Sequence, residues 1–130
     1  MEKDVQNQII EFERNRQLLM NLGMQKQQMQ MSISGNEKAL EEMDKSKEDK
    51  VFVAIGNILI QKEKKDAVKE LKDQKETMEL RLKTVEKQEE STLAKLNKLK
   101  SEIETAAEKA KSAAIQKSKD DKATNTPVVQ

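Results

Sequence analysis

The sequence predicts a mainly α fold: a long antiparallel coiled-coil hairpin with one β-hairpin at the bend, whose strands are completed by strands of other subunits. Three observations lead there. Residues 51 to 60 form the one long apolar run of the chain, broken only by Gly56-Asn57. Charged segments of nearly equal length flank it, and their apolar residues recur at the 3-4 spacing of a helix seam. The 130 residues are 38% charged, 35% hydrophobic and 2% aromatic, a composition that fills a narrow seam between helices but not a thick core. Disorder usually brings a high net charge, whereas here 25 basic residues nearly balance 24 acidic ones.

The first predicted segment, residues 1–49, is a helix without proline. Its seam runs through Val5, Gln8, Phe12, Asn15, Leu19, Leu22, Lys26, Met29, Ile33, Asn36, Leu40 and Met43. Gly23, Gly35 and the turn-like cluster Ser34-Gly35-Asn36 weaken it. A helix that breaks near residue 35 is the alternative, but the seam keeps its phase across the cluster, and this favours a continuous helix.

Residues 50–62 follow as the β-hairpin. Gly56-Asn57 supplies a tight turn between two short β-rich runs. Such a hairpin offers apolar side chains to both faces, and two helices cannot cover both. An isolated hairpin is marginal in water, so its strands must be completed by strands of other subunits. The predicted oligomerisation residues are Val51, Phe52, Val53, Ile55, Gly56, Ile58, Leu59 and Ile60.

The second helix is expected over residues 63–115. Its seam is cleaner: Val68, Leu71, Lys75, Met78, Leu82, Val85, Glu89, Thr92, Leu96, Leu99, Ile103, Ala106, Ala110 and Ala113. Outward pairs such as Glu79 and Lys83 stand at i,i+4 and support an exposed helix. If the chain turns at Gly56-Asn57, facing residues have numbers summing to about 113, and seam then meets seam. Residues 116–130 are polar, lack periodicity and include Pro127, so a disordered tail is expected.

The composition also excludes functions. Without cysteine or histidine there is no thiol nucleophile, no disulfide, and neither the commonest general base nor the commonest metal ligand. No phosphate-cradling glycine loop is present. A net charge of +1 with interspersed signs gives nucleic acid no basic stripe, and the apolar run is too short to span a membrane. The expectation is a cytoplasmic protein that is not an enzyme, with no cofactor, no metal, no nucleic-acid partner and no membrane partner.

Particular residues carry a resemblance. Lys38-Ala39-Leu40-Glu41-Glu42 in the first arm, Val51 to Ile60 at the bend, and Leu71-Lys72-Asp73-Gln74-Lys75-Glu76-Thr77-Met78-Glu79-Leu80-Arg81-Leu82 with Glu86-Lys87-Gln88-Glu89-Glu90 in the second arm resemble the archaeal beta-type subunits of the prefoldin family. The likeness covers roughly residues 15 to 105, and the apolar hairpin with the register after it is its specific part. Alpha-type subunits carry two hairpins at the bend, and this chain has room for one. The resemblance implies an ATP-independent chaperone of two alpha-type and four beta-type subunits. Its hairpins would build a double β-barrel, and the tips of its coiled coils would hold unfolded polypeptide clients for delivery to a group II chaperonin.

For client binding, the region at the helix ends is predicted to comprise Val5, Ile9, Ile10, Phe12, Ile103, Ala106, Ala107, Ala110, Ala113, Ala114 and Ile115. Ile9 and Ile10 fall off the seam, and residues beyond about 111 run past any partner in the first arm. Apolar surface left over there suits unfolded chains. The rival reading is a structural coiled-coil spacer or tether without chaperone activity. It explains the heptads and the charge, but a tether has no need of the hairpin.

Overall fold

The structure, a computed structural model, describes residues 2–125, with side-chain surroundings from residue 3 to residue 115. Four elements follow one another: α1 (Glu2–Lys45), β1 (Lys50–Ile55), β2 (Ile58–Glu63) and α2 (Lys64–Asn125). Two long helices are thus joined through a single two-stranded antiparallel hairpin.

Helix α1 passes through Ser34-Gly35-Asn36 without a break. A Cβ placed on Gly35 would meet nothing within 4 Å. Gly35→Ala should therefore stabilise the helix by up to about 1 kcal/mol, the ordinary Gly-to-Ala difference in a helix interior. Thermal unfolding followed by circular dichroism checks this, and an unchanged or lowered midpoint would count against an unstrained helix there.

The sequence predicts that α1 reaches residue 49, but it stops at Lys45. Local bonds explain the earlier end. Ser46 N–H still donates to the Glu42 carbonyl (3.1 Å), while the Ser46 hydroxyl accepts from Glu48 N–H (3.2 Å) and turns the chain. Lys64 then ties the bend together twice. Its backbone N–H donates to the Asp49 carbonyl (2.8 Å) and its Nζ to the Ser46 carbonyl (2.7 Å), a cation beside the carbonyl end of α1.

In the hairpin, Lys50 pairs with Glu63, Phe52 with Gln61, Val53 with Ile60 and Ile55 with Ile58. Gly56 at the turn has φ 61°, a left-handed conformation that a side chain would strain. The residue numbers of every pair sum to 113, the value expected from a turn at Gly56-Asn57.

Helix α2 begins directly at Lys64 and runs to Asn125, past the expected end at residue 115. Residues 116–125 are therefore helical in backbone where the sequence reading has a disordered tail. Lysine, glutamine and alanine, good helix formers, occupy much of that stretch, and Pro127, which disfavours helix at the residue before it, comes only afterwards. Residues 126–130 of the expected tail lie outside the described residues.

Two units make up the chain, residues 20–90 and residues 1–19 with 91–130. Within 20–90 the two helical stretches run antiparallel: Lys26 Nζ lies 3.4 Å from Glu89, and Lys75 Nζ lies 3.3 Å from Glu37. Leu22, Ile33, Ala67 and Val85 are buried in this unit. In the other, Gln8 Nε2 donates to a Glu102 carboxylate oxygen at 3.1 Å, and Thr92, Leu96 and Leu99 are buried. All twelve seam residues of α1 are buried or half-buried, and so is the α2 seam from Val68 to Ala106. Ala110 and Ala113, its last two members, are exposed.

Polar members of the seam are not random interruptions. Lys26 and Glu89, each an exception in its own arm, are each other's partners. Gly23 stands beside them, and a Cβ there would lie 3.9 Å from Glu89 Oε2, in ordinary van der Waals contact. Asn36 places a buried Nδ2 without a hydrogen-bond partner among the described residues, a cost that a seam asparagine typically exchanges for a unique register.

Candidate functional site

Strand alternation sorts the hairpin into two faces. Val51, Val53, Ile55, Ile58, Ile60 and Lys62 share one of them. Its base is partly covered, with Val51, Val53 and Lys62 half-buried and Lys62 Nζ bonded to the Glu70 carboxylate at 2.8 Å. Phe52, Ala54 and Leu59 share the opposite face with Lys50, Gln61 and Glu63, and all six are exposed. Phe52 is 69% and Leu59 68% exposed, so the largest apolar side chains of the hairpin touch little of their own chain. Each strand has one neighbour among the described residues, which leaves an open edge on either side. Seven of the eight residues expected to mediate oligomerisation thus lie on one small sheet and Gly56 in its turn, with both strand edges and one whole face uncovered among the described residues.

The residues expected at the helix ends all fall in the unit formed by 1–19 and 91–130. They divide by burial. Val5, Phe12, Ile103 and Ala106 are half-buried seam members. Ile9, Ile10, Ala107, Ala110, Ala113, Ala114 and Ile115 are exposed. The bond from Gln8 to Glu102 fixes the pairing of the two helical stretches in this unit, and periodicity in a single helix offered no way to find it.

Among the described residues no group of three or more acidic, cysteine or histidine side chains is placed to hold a metal ion. Neither helix, in its described part, is long and apolar enough to cross a membrane.

Residues 6–122 match the family model for prefoldin subunits, so the chain belongs to the prefoldin subunit family. Its relatives specify the kind of subunit. The prefoldin subunit beta of Archaeoglobus fulgidus is 40% identical over 87 residues, covering 66% of this chain and 75% of that one. That of Methanococcoides burtonii is 37% identical over 103 residues, covering 78% and 88%. That of Pyrobaculum aerophilum is 33% identical over 116 residues, covering 88% and 92%. Among solved structures, the crystal structure of the prefoldin beta subunit from Thermococcus strain KS-1 superposes with a TM-score of 0.70 at 34% identity, covering 79% of this chain and 91% of that one. The chain is of the beta type, and its single hairpin between two long helices agrees with that assignment. Membership carries a prefoldin-type chaperone role.

Proposed function

We propose that this chain is one of four beta-type subunits in a hexamer with two alpha-type subunits. The hexamer works in the cytoplasm without ATP or catalysis, holds non-native polypeptides at its helix ends and delivers them to a group II chaperonin. The observation that carries the assembly is the hairpin face of Phe52 and Leu59, exposed on the chain alone and matched to burial in a multi-subunit barrel. The exposed residues Ile9 and Ile10 near the start of α1, and Ile115, which stands ten residues before the described end of α2, support holding in this region. Each such contact is weak, and several subunits acting on one client supply avidity. A tether has no use for the apolar hairpin face, so the chaperone reading is preferred.

Deleting residues 1–10 tests the holding site. The truncation removes Ile9 and Ile10 and leaves the hairpin untouched. Burial of even one isoleucine side chain against a client is worth at least about 1.5 kcal/mol, so at least roughly tenfold more protein should be needed to suppress aggregation of a denatured test protein. Light scattering measures the suppression, and native mass should stay unchanged. Equal suppression by the truncated chain would remove the helix ends as the holding site.

A further inference from the structure

In a chain that is 38% charged, the twenty residues from Gln17 to Asn36 contain one charged side chain, Lys26. Lys26 is turned to Glu89 at 3.4 Å. What remains on the outside of α1 between Met20 and Met31 is eight exposed residues, all methionine, asparagine or glutamine. Met20, Met24 and Met31 are 58%, 61% and 69% exposed. At about 100° per residue these three lie within roughly 40° of one another and opposite the seam residues Leu22 and Ile33. A solvated coiled-coil face is normally built from charges, and here the charges are missing.

We propose that this face is a second holding site, for a short uncharged apolar segment of a non-native polypeptide. The inference rests on the chaperone role and adds a place on the chain that is distinct from the helix ends. Three features select the occupant. Methionine is unbranched and polarizable, so a row of it adapts to apolar side chains of many shapes. The glutamines beside it can donate to and accept from the open backbone of an extended segment. Met20 to Met31 spans about 16 Å at 1.5 Å per residue, which matches roughly five residues of extended chain. A second folded copy fits poorly. A stable interface enlists about 20–30 residues a side, far more than this face offers.

Peroxide footprinting of the full-length protein in its native assembly tests the proposal. The probe is reduced, carboxymethylated α-lactalbumin, which stays unfolded. Half-buried Met29, Met43 and Met78 serve as internal references. The expected result is that bound probe slows oxidation of Met20, Met24 and Met31 severalfold and leaves the references unchanged. A triple variant, Met20→Gln, Met24→Gln and Met31→Gln, keeps good helix formers at exposed positions and should weaken probe capture severalfold with unaltered helicity. Probe captured with the three methionines unprotected overturns this site and leaves the chaperone reading standing. Unimpaired capture by the triple variant overturns it in the same way. Protection that rises with protein concentration without probe means that a second copy is the occupant, and the proposal fails. No capture of the probe at all overturns both readings.

Discussion

A chain carrying Phe52→Asp and Leu59→Asp should keep its helical circular dichroism and lose its higher assembly. The two side chains share one hairpin face and are each more than two-thirds exposed, so a carboxylate there costs the isolated chain little. In a closed barrel the same carboxylate is buried without a partner, at a cost of several kcal/mol for each site and each subunit. Native mass spectrometry provides the reading. The parent protein should appear as four copies with two of a longer, two-hairpin relative, and the variant as small species. Ile55→Asp with Ile58→Asp probes the other face beside the turn and should act in the same direction. If the mass of both variants matches the parent, the hairpin faces remain in water and the barrel is wrong.

The second large effect belongs to the seam. Leu22 is 4% exposed, and Leu22→Ala should destabilise the chain by about 2–4 kcal/mol, the transfer term plus the cavity left behind. For a chain of this size that lowers the thermal midpoint on the order of 10 °C. Met24, two positions along, is exposed, and Met24→Ala should stay within about 0.5 kcal/mol. Both changes remove a large apolar side chain from the same helix, so the comparison isolates burial from composition. Similar midpoints for the two variants would show that the seam is not where stability resides.

Much of this architecture is legible in the sequence because a two-helix seam is a one-dimensional code. Spacing alone marks Val5 through Met43 as the covered side of α1, and the apolar decamer with its Gly-Asn turn marks the hairpin. What stays hidden needs the third dimension. Lys26 and Glu89 read as two blemishes until the register brings them together. Ala67, only 3% exposed, stands one position before the seam at Val68, and a small residue among lysines and acids adds nothing to a hydropathy pattern. The end of α1 at Lys45 depends on a serine hydroxyl and on Lys64, which comes eighteen residues later than Ser46. At the other end, polar residues without periodicity suggest a tail, yet the α2 backbone stays helical to Asn125, in a stretch where lysine, glutamine and alanine supply helix propensity. The helix-end residues are legible as a region. Their division largely follows the seam as well, with Ile9 and Ile10 off it and exposed; Ala110 and Ala113, seam members by spacing yet exposed, are the exceptions, since exposure there depends on where the neighbouring helix lies.

The two open strand edges also bear on how much of this protein a cell can make. A hairpin with both edges uncovered and an apolar face in water is a template for pairing with any other strand, including that of another identical subunit. Produced in excess over the subunits that would cover it in the proposed assembly, the chain would present to its surroundings the same kind of surface as a damaged protein. In the proposed assembly, balanced synthesis of the subunits follows from Phe52, Leu59 and two strand edges that have no neighbour among the described residues, quite apart from any demand of activity.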